Sequence, residues 1–137
     1  MTMNEKKLMG IRIIVHRGTN QIGGCVTEYE CRGFHLFVDY GEQLPGYEHT
    51  EMEIEGLTKG DVSNSALLIT HYHGDHIGKV SELSSEIPVY MGKTGCEICQ
   101  EFELHMSHIP GEEGKRHRLM ADRVTEFKHF EPGHTFE

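Results

Sequence analysis

The chain lacks any apolar run long enough to cross a bilayer, and its first ten residues hold no apolar signal core. Both absences lead to the expectation of a cytoplasmic protein with no membrane contact. Positive charge is also scarce. Thirteen Lys and Arg face 22 Asp and Glu, for a formal net charge of −9, so the basic footprint usual for nucleic-acid binding is missing from this segment. Cysteine is limited to Cys25, Cys31, Cys96 and Cys99, a set that fits reduced thiols better than a disulfide framework. Apolar residues make up 36% of the chain, enough for one domain with a modest core. Internal repeats and low-complexity tracts are absent.

Histidine, in contrast, is abundant and clustered. His71-Tyr72-His73-Gly74-Asp75-His76 places three imidazoles and a carboxylate within six residues. Random placement of the chain's His and Asp residues would give this pattern somewhere with a probability of about 0.2%, so composition does not account for it. Ala66–Thr70 before it reads as a buried strand, and Ile77, Val80 and Leu83 after it recur at helical spacing. The motif therefore sits on a turn from a strand end into a helix start. Side chains two apart on an extended chain point the same way, so His71 and His73 approach one cation together. Gly74 permits a tight turn that brings Asp75 and His76 round from the other side. Imidazole and carboxylate are ligands of zinc, and of manganese or iron where oxygen donors dominate. Asp75 near a helix N-terminus is favoured in its ionised form.

Around this turn the pattern predicts strands at residues 11–16, 25–32 and 34–39, with Gly33 as a hairpin turn. In the third strand Phe34, Leu36 and Val38 share one face, and His35, Phe37 and Asp39 the other. Residues 17–24 form a glycine-rich loop. Residues 40–64 form a long irregular stretch whose glutamates read as a solvated acidic face, and which is placed to wall the motif turn. Further on come a short strand at 88–91 and a helix at 93–106, with Ile98, Phe102 and either Cys99 or Met106 along its buried stripe. Then follow a loop at 109–114, a short helical turn at 115–123, a strand at 124–130, a turn at 132–133, and a new strand near Phe136. Residues 1–10 read as a flexible lead-in. Alternating strands and helices indicate a layered α/β domain over residues 11–137.

Other constellations are weaker. Cys96-x-x-Cys99 lies on a helix face without a second pair, and reads as packing. His105, His108, His117, His129 and His134 are scattered, and read as surface or strand histidines. Asp39 ends its strand where the motif turn approaches, and is either a turn former or a partner of that turn.

His-x-His-x-Asp-His after an apolar strand resembles the metal motif of the metallo-β-lactamase superfamily. Gly23-Gly24 opening a strand, and Phe34–Val38 running into Asp39-Tyr40-Gly41, are similar to that family's upstream segment. Arg17-Gly18-Thr19-Asn20-Gln21-Ile22-Gly23-Gly24 resembles the ribonuclease J and β-CASP nuclease branch. The resemblance covers most of residues 11–137. It implies an αββα layered sandwich, incomplete here because only its N-terminal half is present. It also implies two divalent metal ions, Zn2+ first, with Mn2+ or Fe as alternatives. His71 and His73 would serve one ion, and Asp75 and His76 the other. Asp75 would also act as a catalytic group taking a proton from water, and Asp39 would orient a ligand imidazole. The family's later ligands, a third-motif histidine, a bridging aspartate and a final histidine, have no counterpart in these residues.

The implied function is metal-dependent hydrolysis, with phosphodiester cleavage of RNA or single-stranded DNA by the full-length protein as first choice. The alternatives are hydrolysis of a small-molecule ester, lactone or thioester, or an inert metal-binding fragment of a larger enzyme. A flavodiiron-like redox protein would need further iron ligands and a flavin domain. Taken alone, this chain is expected to be weakly active or inactive. It is also expected to self-associate through an apolar sheet face that a second half would cover.

Overall fold

A computed structural model describes residues 10–136; most of the 1–10 lead-in falls outside the described residues. Six strands form one mixed sheet in chain order: β1 (Arg12–Arg17), β2 (Val26–Cys31), β3 (Phe34–Val38), β4 (Ser65–Leu68), β5 (Val89–Gly92) and β6 (Lys128–Phe130). β1, β2 and β3 pair antiparallel. The β2–β3 hairpin turns through Arg32 (φ 53°) and Gly33 (φ 81°), the pair of left-handed residues that a two-residue turn matched to strand twist requires. β3, β4, β5 and β6 pair parallel, so each step needs a crossover.

The crossover from β3 to β4 is the irregular segment 39–64, which buries Ile54 and Leu57 while Glu48, Glu51, Glu53 and Glu55 stay exposed. From β4 to β5 the chain passes through the motif turn, a single helical turn α1 (Gly74–Ile77) and a 3₁₀ turn at Val80–Glu82. Ile77, Val80 and Leu83 are all buried, as their spacing predicts, but the helix is broken between them. Helices α2 (Lys93–Met106) and α3 (Glu112–Val124) carry the chain from β5 to β6 and pack on each other.

Period-2 alternation decides which sheet face is covered. Val26, Phe37, Leu67, Val89 and Met91 point inward and join Ile77, Val80, Cys99, Met120 and Val124 in one core. On the opposite face Ile13, Val15, Tyr29, Phe34 and Leu36 are exposed, Ile13 by 60% and Phe34 by 63%. The expected division of β3 into two faces is therefore seen, and the resulting architecture is a mixed sheet with helices.

Several expectations need correction. Residues 115–123 belong to a full helix that begins at Glu112 and runs to Val124, so the strand expected at 124–130 shrinks to Lys128–Phe130. Met120, Val124 and Phe127 are all buried, and this helix-spaced series overrides the alternation. Gly111 and Gly114 disguised the helix start as a loop. Gly111 has φ 84°, and a β-carbon on Gly114 would overlap the Ile109 carbonyl. The buried stripe of α2 runs through Cys96 and Cys99, whereas Ile98 and Phe102 are exposed. Finally, residues 134–136 form no strand; Phe136 instead stacks against Phe130 and Tyr90.

Candidate metal centre

The motif turn leaves the C-terminal end of β4 and is pinned by three backbone bonds from two other segments. Gly24 N–H donates to the Asp75 carbonyl (2.7 Å), Tyr40 N–H to that of His76 (2.9 Å), and Glu42 N–H to that of Gly74 (3.0 Å). Glycine is needed where these segments touch. A β-carbon on Gly23, which has φ 72°, would overlap the Asp75 carboxylate, and one on Gly41 would overlap the Asp75 carbonyl. Arg17, buried at the end of β1, ties the same segments together. Its Nε donates to the Gly24 carbonyl at 2.5 Å, Nη2 to that of Gly41 at 2.8 Å, and Nη1 to that of Thr50 at 3.3 Å. Burial holds its pKa below the ordinary arginine value.

The structure brings all the sequence-nominated side chains together. The His71 ring lies 4.0 Å from the His76 ring and 4.7 Å from the His73 ring, centroid to centroid. Asp75 Oδ2 is 3.4 Å from His76 Nε2. Asp39 is buried at the end of β3 in the left-handed region (φ 63°). Its Oδ2 accepts a hydrogen bond from His76 Nδ1 at 2.8 Å, and its Oδ1 accepts one from the Thr70 backbone N–H at 2.8 Å. Asp39 is thus a partner of the motif turn rather than a simple turn former. The His71 pKa is lowered, first by burial and then by the neighbouring His76 and His73, which favours the neutral ring that ligates cations.

Crowding is not yet coordination. Among the described residues no group of three or more His, Cys, Asp or Glu is set to hold a metal ion. His73 is exposed, and caps α1 without a side-chain hydrogen bond. The donor chemistry nevertheless fits a divalent cation. With Nδ1 of His76 committed to Asp39, its Nε2 is the nitrogen on the Asp75 side, and a carboxylate beside imidazoles is a zinc-type donor set.

No family model matches the chain. Ribonuclease J of Mycobacterium tuberculosis (strain CDC 1551 / Oshkosh) is 29% identical over 121 residues, covering 80% of this chain and 22% of its own length. A UPF0173 metal-dependent hydrolase of Bacillus pumilus (strain SAFR-032) is 31% identical over 83 residues, 53% of this chain and 34% of that protein. The chain is distantly homologous to these proteins. It spans about a fifth of the length of the ribonuclease J relatives, 22% by alignment. A solved structure of a protein of unknown function from Enterococcus faecalis V583 superimposes with a TM-score of 0.63 at 20% identity, over 78% of this chain and 31% of that one; this likeness concerns the fold.

Several residues at the centre escaped sequence reasoning. Arg17 was visible only as the first residue of the Arg17–Gly24 pattern, without a role of its own, and Thr70 only as the residue before the first motif histidine. His117, read as a surface histidine, is half-buried, and its Nδ1 lies 2.6 Å from Glu103 Oε2. With Phe102, Arg116 and Glu42 that pair lines a cleft of about 230 Å³ beside Gly74 and Gly78. Cys96 and Cys99 are buried free thiols whose pKa values burial pushes up to about 11 and about 12, in keeping with a packing role. No helix of the described residues is long and apolar enough to cross a membrane.

Proposed function

We propose that residues 11–137 form the N-terminal part of a metallo-β-lactamase-like αββα domain whose full-length protein is a metal-dependent phosphodiesterase acting on RNA or single-stranded DNA. The observation that carries this reading is the convergence of His71, His73 and His76 beside Asp75, with Asp39 fixing one ring from behind. His71 and His73 would hold one divalent ion, and Asp75 and His76 a second, Zn2+ before Mn2+ or Fe. Such an ion supplies Lewis acidity, acidifying water and drawing charge from a scissile oxygen. Within this chain Asp75 accepts the proton that water gives up, and Asp39 holds the His76 ring in one orientation. Similarity to ribonuclease J and to a metal-dependent hydrolase supports the reaction class. The free thiols fit a cytoplasmic protein, and the exposed apolar sheet face is left for self-association of this chain.

The net charge of −9 favours a second reading, hydrolysis of a small ester, lactone or thioester. The unclosed donor set favours a third, an inert metal-binding fragment. Metal content of the purified chain after zinc or manganese loading, followed by turnover of a generic phosphodiester and a generic ester, separates the three. The expected result is bound metal that falls sharply in His71→Ala and His73→Ala. Unchanged metal content in both variants would remove the site assignment. Bound metal without turnover of either substrate would establish the inert fragment for this chain.

A further inference from the structure

Asp39 reaches one motif histidine directly and, through Thr70, a second. Thr70 Oγ1 lies 2.8 Å from Asp39 Oδ2 and 3.0 Å from His71 Nδ1. The hydroxyl has a single hydrogen and the ionised carboxylate has none. If Thr70 gave its hydrogen to His71, the hydroxyl and carboxylate oxygens would face each other at 2.8 Å with lone pairs only. The hydrogen therefore goes to Asp39, and the contact to His71 is made by an Nδ1–H donating to the Thr70 oxygen. His76 Nδ1–H donates to the same Asp39 oxygen at 2.8 Å. In its neutral form each ring is thereby left with its lone pair on Nε2.

We infer that Thr70 is a positioning residue that transmits the Asp39 carboxylate to His71, so that one buried acid selects the Nδ1–H tautomer of both His71 and His76. Two imidazoles then keep the same nitrogen, Nε2, free of the Asp39 network. His73, without such an anchor, adapts to whatever the other two hold. The arrangement prepares the turn for a cation before one arrives. The tautomer stands on hydrogen-bond geometry alone; only its consequence for metal affinity rests on the metal-binding function proposed above. Thr70 is exposed, so substitutions there leave the core intact.

The test is the ¹⁵N pattern of the histidine rings in the metal-free chain at about pH 8, where ordinary imidazoles are neutral. Wild type is expected to show Nδ1–H for His71 and His76. Thr70→Val is expected to shift His71 alone toward Nε2–H, and Thr70→Ser, which keeps the hydroxyl, to restore the wild-type pattern. Nε2–H at His71 in wild type, or no change in Thr70→Val, would overturn the relay. Zinc affinity in the same variants should fall about tenfold in Thr70→Val and recover in Thr70→Ser. A tautomer shift in a chain that binds no zinc in any form would uphold the relay and bring down the metal-binding reading instead.

Discussion

Gly41 lies against the backbone of Asp75 so closely that a β-carbon at position 41 would overlap the Asp75 carbonyl. The contact joins the end of β3 to the one acidic residue of the motif turn, and Tyr40 and Glu42 on either side donate backbone bonds into that turn. Gly41→Ala must therefore displace backbone rather than a flexible side-chain end. The expected cost is about 1–3 kcal/mol of stability, read as a lower urea midpoint. Zinc binding should weaken in the same variant, because Asp75 moves with its carbonyl. A variant of wild-type stability and affinity would show that the turn accommodates the methyl group.

Glu28 is a buried carboxylate held from both sides, by His35 Nδ1 at 2.5 Å and His16 Nε2 at 2.6 Å. Burial alone would raise its pKa, but the hydrogen bonds from His35 and then His16 outweigh burial and the net shift is downward. A carboxylate whose folded pKa lies below its unfolded value, about 4.3, stabilises the fold fully above that range. The contribution disappears as pH falls through the lowered value. Glu28→Gln should cost about 1–3 kcal/mol near pH 7, and the gap to wild type should close as pH falls below the unfolded value and through the lowered folded one. Paired urea titrations across that range check the sign; a gap that widens on acidification would contradict it.

The legible parts of this molecule are those where one period dominates. β3 alternates cleanly, α2 matches its expected bounds of Lys93–Met106, and the motif turn lies between a strand and a helical turn as its neighbours imply. Reading failed where two signals competed. Val124–Phe130 carries both an alternation and the end of a helical stripe; the helix prevails as far as Val124, and the turn that follows it buries Phe127 in the same core. In α2 the bulk of Ile98 and Phe102 suggested the wrong face, although the smaller Cys96 and Cys99 are the ones that fit against the core. Arg17 was illegible for another reason. Its role is to satisfy three carbonyls, from two segments that meet only in the folded chain, and no local pattern encodes such a meeting.

The buried thiols give a chemical check on the helix face. Cys96 and Cys99 point into the core with pKa values raised to about 11 and about 12, whereas Cys25 and Cys31 are only half-buried. The thiolate is the nucleophile, so iodoacetamide at about pH 8 should label Cys25 and Cys31 in the native chain and spare the α2 pair. In urea all four should react. Peptide mapping after a timed exposure reads the order directly, and early labelling of Cys99 would mean that α2 is turned the other way.

The exposed sheet face makes the last prediction. Ile13, Val15, Tyr29 and Leu36 lie on neighbouring strands, with Ile13 opposite Tyr29 and Tyr29 opposite Leu36 in register, so their side chains form one continuous apolar strip rather than scattered residues. A strip of this kind lowers its free energy by leaving water, at about 25 cal/mol for each Å² buried. A second copy of the chain offers an equally apolar surface. Among the described residues β1 is an edge strand of the sheet, which favours association further. Sedimentation velocity should therefore show a dimer or larger species that grows with concentration. Ile13→Lys combined with Leu36→Lys places two like charges on the strip, and should return the chain to a monomer with its circular dichroism unchanged. A wild-type chain that stays monomeric at high concentration would mean that the strip is tolerated in water, and would withdraw self-association from the account of this protein.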